Sequence, residues 1–112
     1  MNVTLTRIYP ISASFSRGSR VIGRNYRLAV CVDAVDEKDE LRLDGVIRKD
    51  LIERLHTRDW DESPAFMVRA GREDHQILSA LAFELRTVLA EFRLRRVELW
   101  RDEASFVSME FT

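Results

Sequence analysis

The first third of the chain alternates between apolar and polar residues. This is the pattern of strands with one buried face and one solvent-exposed face. In 3–15 the apolar residues of one parity are Val3, Leu5, Tyr9, Ile11, Ala13 and Phe15, with Arg7 interrupting the row. In 21–35 the matching row holds Ile22, Arg24, Tyr26, Leu28, Val30 and Val32. The short polar link contains Gly18, which can adopt a positive φ. The pattern predicts a β-hairpin, and Pro10 favours an edge position or a bulge.

The middle of the chain changes to helical spacing. The charged residues 36–40 predict a turn, 41–43 predict a short extended stretch, and Asp44 is placed to cap the next helix. A helix from Val46 to about His56 is predicted by the spacing of Val46, Ile47, Leu51 and Leu55. A second, from about Glu73 to Arg93, is predicted by the apolar stripe Ile77, Leu78, Leu81, Ala82, Leu85, Val88, Leu89 and Phe92.

Two further strands are predicted at 97–101 and 105–111. The order β-β-α-α-β-β predicts an α+β fold, with a four-stranded antiparallel sheet and two helices on one face. A sheet of this kind has two open edges, so we expect an oligomer. We expect residues 1–112 to form a single domain.

Composition and charge exclude several classes of protein. The chain has 112 residues, is 46% hydrophobic and has four glycines and two prolines, which excludes a low-complexity protein. Its 18 basic and 19 acidic residues give a net charge of -1, so we expect no nucleic-acid partner. The single cysteine, Cys31, cannot form an intrachain disulfide. No signal peptide or long apolar span is visible, so we expect a cytoplasmic protein without a membrane partner.

Four short segments resemble, in order, the motifs of one enzyme family. Residues 11–15 (ISASF) resemble the Phe-Ser-Ala-Ser-His of 6-pyruvoyl- and 6-carboxytetrahydropterin synthases, and 22–26 (IGRNY) resemble their His-Gly-His-Asn-Tyr. Residues 53–60 lie where these enzymes carry Leu-Asp-His, and 97–102 (VELWRD) resemble their Val-x-Val-x-Glu-Thr. The resemblance implies the tunnelling fold, in which the sheets of a homo-oligomer (a trimer or hexamer) close into a barrel with pockets at subunit interfaces.

The zinc site of that family is replaced here. Its three histidines match Phe15, Ile22 and Arg24. Zinc needs imidazole, thiolate or carboxylate ligands, whereas a phenyl ring and an alkyl chain offer no lone pair and a guanidinium is a permanent cation. We therefore predict no metal and no other cofactor. The family's catalytic cysteine falls in 16–21, which holds no sulfur.

His56 is the candidate for catalysis. It falls in the segment that matches the family's aspartate–histidine pair, but neither possible alignment restores a carboxylate beside a histidine. An imidazole can carry a proton near neutral pH, so His56 could act as an acid or base. The alternative is a structural histidine at the end of a helix.

Two arginines indicate a different ligand. The glutamate that holds the pterin in the family matches Arg101, which can only donate hydrogen bonds. Arg101 and Arg24 both fall on the apolar faces of their strands, where they would suit a carboxylate or phosphate. The alternative is that both pair with acids such as Asp102, Glu103 and Glu98. The predicted ligand-binding residues are Arg24, Arg101, His56, Gln76, Phe15 and Ile22, with Gln76 matching a helical glutamate of the family.

Three functions follow from this reading. The first is a divergent homologue of the synthases that binds an anionic small molecule or has altered chemistry. The second is a structural or interaction subunit, which the open edges favour; Trp100, with outward parity, is its candidate subunit contact. The third is a zinc-independent lyase on a pterin-like substrate, with His56, Arg24 and Tyr26 as its available groups.

Overall fold

The computed structural model describes residues 3–112 and begins with a long β-hairpin. Strand β1 (Thr4–Arg17) pairs antiparallel with β2 (Arg20–Asp33) over its whole length. The turn places Gly18 at a φ of 63°, which favours glycine. The predicted hairpin is confirmed, and its register sets Phe15 opposite Ile22.

The helical region after the hairpin starts earlier than the apolar spacing predicts. Helix α1 (Glu37–Ile47) continues through a π-helical segment, Arg48–Ile52, into the single turn α2 (Glu53–Leu55). The Asp36 carboxylate accepts a hydrogen bond from the backbone N–H of Asp39 at 2.8 Å. Asp36 is therefore the residue that caps α1.

The predictions for residues 36–44 are wrong. Residues 37–43 are helical, not a turn and an extended stretch, and Asp44 lies inside α1. In α1 only Leu43 and Ile47 are buried, so its first turns carry too few apolar residues to show a helical period. Their acidic residues instead stabilise the positive end of the helix dipole.

The rest of the chain contains two helices and three strands. They are β3 (Arg58–Asp59), α3 (Ala65–Val68), α4 (Asp74–Val88), β4 (Leu94–Trp100) and β5 (Phe106–Glu110). Helix α4 ends before the predicted Arg93. The apolar stripe continues beyond the end of α4 because Leu89 is still buried in the core and Phe92 packs against the core.

The sheet has the order β3-β1-β2-β4-β5. All neighbouring strands are antiparallel except the two-residue β3, which pairs in parallel with β1. The α+β class with a β-β-α-α-β-β order is confirmed, and β3 adds a short fifth strand to the four predicted.

The two faces of the sheet differ in what covers them. The inner face packs against the helices and is apolar: Tyr9, Ile11, Phe15, Tyr26, Leu28, Val97 and Leu99 are buried there against Leu43, Ile47, Leu51, Leu55, Ile77, Leu81 and Leu85. The outer face, with the opposite parity, carries no helix. The sequence alternates between apolar and polar residues because one face of the sheet packs against helices and the other does not.

Arg7, which interrupts the apolar row of β1, is neutralised on the inner face. Its guanidinium lies 3.1 Å from Glu40 and 3.1 Å from Asp44. Asp44 also accepts a hydrogen bond from the Tyr9 hydroxyl at 2.8 Å and pairs with Arg48 at 3.0 Å. Burial raises the pKa of Tyr9 to about 12, with the Asp44 hydrogen bond adding to the effect. Asp44 therefore joins α1 to β1.

The sheet leaves part of one edge uncovered. Strand β3 pairs with β1 only at Ala13 and Ser14, so the segment 4–10 of β1 has an unpaired side among the described residues. Pro10 lies in this segment, as its missing N–H predicts. Within residues 3–112, no helix is both long enough and apolar enough to cross a membrane.

Candidate functional site

The predicted arginines lie at one end of the inner face. Arg24 on β2 is paired with Ala13 on β1, two residues along each strand from the Phe15–Ile22 pair. Arg101 follows the last residue of β4, and its backbone N–H donates to the Ser105 carbonyl at 3.0 Å. The structure thus places Arg24 and Arg101 on elements that both approach Tyr26, since β2 lies between β1 and β4.

Tyr26 and Asp74 connect this group to helix α4. The Tyr26 hydroxyl donates to Asp74 Oδ1 at 2.9 Å, and Arg101 Nη1 lies 3.6 Å from Asp74 Oδ2. Burial raises the pKa of Tyr26 above its ordinary value, the hydrogen bond to Asp74 adds to the rise, and the nearby Arg24 guanidinium opposes both. Tyr26 therefore remains a neutral hydrogen-bond donor, and Asp74 is the acceptor that it fixes in place.

Arg24 differs from its neighbours in having no counter-ion. Its Nε is buried and makes no hydrogen bond, and within residues 3–112 no carboxylate pairs with its side chain. Arg101, in contrast, is 48% exposed and lies 3.9 Å from Asp102 in addition to its contact with Asp74. The alternative that nearby acids neutralise both arginines thus describes Arg101 in part and does not describe Arg24.

Arg17 is a third basic residue at this end of the inner face. It is half-buried, donates to the Arg72 carbonyl at 2.7 Å and lies 3.9 Å from Glu73. Neither Arg17 nor Asp74 is among the predicted site residues. Their link to the site depends on the packing of α4 against the hairpin, although the parity of Arg17 with Phe15 is a signal that the sequence does contain.

Phe15 and Ile22 pack into the apolar core next to Arg24 on the inner face. Phe15 is fully buried, and its ring lies 5.8 Å from the indole of Trp60 with only 8° between the planes. The Tyr26 ring is parallel to the same indole within 5°, at 6.1 Å. Ile22 is half-buried and packs against this core. Phe15 is therefore part of an aromatic stack rather than a side chain open to a ligand.

His56 lies at the edge of β1 and has a structural contact. Its Nδ1 accepts a hydrogen bond from the backbone N–H of Ser12 at 3.0 Å, and the next residue, Thr57, donates to the Ser12 carbonyl at 2.6 Å. Accepting this bond leaves only Nε2 to carry the proton of the neutral ring. The structure thus gives His56 a role in covering the β1 edge, and the lyase that would use it stays a prediction.

Gln76 is also occupied by a local contact. Its side-chain oxygen accepts from the backbone N–H of Glu73 at 3.1 Å, at the start of α4. Gly71 makes room for it, because a Cβ there would collide with the Gln76 side-chain amide. Gln76 therefore serves the helix end, and its assignment to a ligand remains an untested prediction.

The whole chain resembles a solved enzyme structure. It matches 6-pyruvoyl tetrahydropterin synthase from Caenorhabditis elegans with a TM-score of 0.80 and 15% identity, covering 98% of this chain and 96% of that one. The chain has the fold of that synthase. An uncharacterized protein from Wolinella succinogenes shares it with a TM-score of 0.68 and 9% identity, covering 100% of this chain and 99% of the other. No protein-family model and no curated protein matches the sequence.

The positions that the sequence resemblance matches to the family's zinc ligands hold side chains that do not suit a metal. The three positions that resemble the zinc ligands hold a buried ring at Phe15, an alkyl chain at Ile22 and a guanidinium at Arg24. None of these can donate an electron pair to Zn²⁺. Elsewhere in residues 3–112, no group of three or more His, Cys, Asp or Glu residues is placed to hold a metal ion. The residues at this site do not fit zinc.

Proposed function

We propose that this chain is a divergent homologue of the tetrahydropterin synthases that binds an anionic small molecule through Arg24 and Arg101. The ligand carries a carboxylate or phosphate group, which the two guanidiniums can hold through paired N–H donors. As in the family it resembles, the pocket is completed by a second copy of the chain.

The unpaired charge of Arg24 carries this proposal. Within residues 3–112, six arginines are half-buried, and five of them form an ion pair: Arg7, Arg17, Arg72, Arg95 and Arg96. Arg24 is the exception because it has no ion pair. Its Nε is buried without a hydrogen bond, as are those of Arg17 and Arg96, but only those two have a carboxylate within 4 Å. Arg24 is half-buried, and even partial removal of a charge from water without a partner is costly, a cost that a bound anion would offset.

Purified protein can reveal the ligand directly. Native mass spectrometry of protein prepared without added ligand, with metal analysis of the same sample, should show an oligomer with a bound anionic molecule and no zinc. Stoichiometric zinc would contradict the proposal, because Phe15, Ile22 and Arg24 could not then be the residues at the metal-ligand positions.

Neutralising both arginines should abolish binding of a simple anion. In the wild type, bound phosphate should add RT ln(1 + [L]/Kd) to the free energy of unfolding and so raise the melting temperature. In Arg24→Gln/Arg101→Gln protein, inorganic phosphate should no longer raise the melting temperature. The measurement is a thermal-shift titration at fixed ionic strength.

The control carries the same change in charge elsewhere. Arg27 and Arg69 are exposed and have no ion pair among the described residues, so Arg27→Gln/Arg69→Gln should keep the phosphate effect. Equal loss in both double variants would show that phosphate responds only to net charge. That result would contradict a site at Arg24 and Arg101.

A structural or interaction subunit is the second candidate, and the outer face favours it. Ile8 is 60% and Phe106 43% exposed on this helix-free face. The Trp100 ring stacks on Phe106 with 4.1 Å between centroids, and its indole N–H donates to Glu98 at 2.9 Å. Exposed apolar groups beside an unpaired strand edge are typical of a surface that another subunit covers.

Changing Trp100 tests this surface. Trp100→Glu should give smaller particles in sedimentation velocity, because a carboxylate next to Glu98 would be costly to bury between subunits. Phe83→Glu is the matched control, since Phe83 is 74% exposed on α4, away from the sheet. An unchanged sedimentation coefficient in folded Trp100→Glu protein would rule out this contact.

A further inference from the structure

We propose that Asp74 is an internal counter-ion that an anionic ligand displaces from Arg101 when it binds. The inference rests on the proposed function and concerns the regulation of the same site: the affinity for the ligand is set by competition between its anionic group and the Asp74 carboxylate. Asp74 is thus a positioning residue that holds Arg101 while the site is empty.

The geometry of Asp74 divides its two oxygens between two partners. Oδ1 accepts from the buried Tyr26 hydroxyl at 2.9 Å, which fixes the carboxylate. Oδ2 faces Arg101 at 3.6 Å, beyond the range of a strong hydrogen bond. The Asp74 side chain is only 19% exposed, whereas Arg101 is 48% exposed. Arg101 is therefore the more exposed partner, and leaving Asp74 costs it little.

The charges explain why displacement is needed. Arg24 and Arg101 carry two positive charges, and Asp74 supplies one negative charge that pairs with Arg101 alone; Asp102, 55% exposed and 3.9 Å from Arg101, adds a second, more solvent-screened one. An anion that bridges both guanidiniums must take Arg101 away from Asp74 and come close to the carboxylate that remains. Like charges a few ångströms apart repel, so the resident carboxylate weakens the binding of the incoming one.

A purely structural role for Asp74 is the competing reading. It is the first residue of α4, where a carboxylate stabilises the positive end of the helix dipole. That role predicts a lower melting temperature when Asp74 is neutralised. It does not predict tighter binding of an anion.

The test is the affinity for inorganic phosphate, measured by calorimetry at constant ionic strength. Asp74→Asn keeps an oxygen that can accept from Tyr26 and removes the charge, so phosphate should bind about tenfold more tightly. Glu84→Gln removes one negative charge from the same helix. Glu84 pairs with Arg54 and lies ten residues, or about 15 Å, further along α4, so its removal should leave the affinity unchanged.

A second background shows whether the effect passes through Arg101. In Arg101→Gln protein, Asp74 has no guanidinium to pair with. Adding Asp74→Asn should therefore change the phosphate affinity by less than about twofold. Tighter binding in the wild-type background alone supports the displacement of Asp74. An equal gain in both backgrounds overturns it, because the carboxylate would then act only by general repulsion.

Two remaining results separate this inference from the proposed function. If wild-type protein binds phosphate through Arg24 and Arg101, and Asp74→Asn leaves the affinity unchanged, the inference is wrong and the proposed function stands. If phosphate binds to none of the folded variants, the proposed function fails and the inference with it.

Discussion

Replacing Trp60 with alanine should lower the free energy of unfolding by about 3–5 kcal/mol, the range for a large aromatic side chain removed from a core. Trp60 is fully buried, and its indole is parallel to the rings of Phe15 and Tyr26. Its indole N–H also donates to the Leu55 carbonyl at 3.1 Å, which alanine cannot do. Urea denaturation followed by circular dichroism measures the loss.

Two variants identify the source of that loss. Trp60→Phe keeps an aromatic ring but loses the hydrogen bond to Leu55 and some volume, so it should cost clearly less than alanine. Trp100→Ala removes a half-buried indole from the outer face and should also cost less. Equal losses for Trp60→Ala and Trp100→Ala would show that the stack with Phe15 and Tyr26 contributes nothing beyond the removal of an indole.

The packing of Trp60 makes the surroundings of Phe15 apolar. Where the resemblance implies a zinc ligand, Phe15 packs against Trp60, and Arg72 lies over the Phe15 ring at 5.7 Å. Arg72 also donates to the carbonyls of Met67 and Trp60, at 2.7 and 3.2 Å. The loop that contains Trp60 is thereby held to the sheet.

The hairpin could be predicted because every second residue has the same environment. Every second residue from Tyr9 to Phe15 is buried on the inner face, so the period of two is visible in the sequence. Helix α1 could not be located in the same way, since its first two turns face solvent and its cap, Asp36, lies in a run of charged residues. Local charge patterns of this kind are compatible with either a turn or a helix start.

Only the candidate site residues that lie on strands could be placed from the sequence, because strand parity assigns them to a face of the sheet. Parity alone places Arg24 in the row of Tyr26, and the structure agrees. It cannot reveal Asp74, which is 48 residues from Tyr26 in sequence and meets it through the packing of α4 on the sheet. The sequence does suggest His56 and Gln76, but in the structure their side chains accept hydrogen bonds from the backbone N–H groups of Ser12 and Glu73. The sequence does not show which polar side chains will form hydrogen bonds with the backbone.

Replacing Asp44 with alanine should lower the free energy of unfolding by about 1–3 kcal/mol, mainly because it leaves buried polar groups without a partner. The Tyr9 hydroxyl, 2.8 Å from Asp44, would have no acceptor, and Arg7 would keep only Glu40. Asp44→Asn keeps an acceptor for Tyr9 and should lose less. Arg48→Ala removes only a 55% exposed guanidinium from the group and should cost under about 1 kcal/mol.

The effect of Asp44 should depend on pH in a defined direction. Burial alone would raise the pKa of Asp44, but the hydrogen bond from Tyr9 and the pairs with Arg48 and Arg7 outweigh it and lower the pKa below its ordinary value. The stabilisation is therefore present above the carboxyl pKa of the unfolded chain, about 3.9, and is lost as the pH falls through the lower pKa of the folded state. The difference in unfolding free energy between wild type and Asp44→Asn should shrink between neutral pH and about pH 3. A difference that stays constant over this range would mean that the ionised carboxylate gives α1 and β1 no more than its neutral amide does.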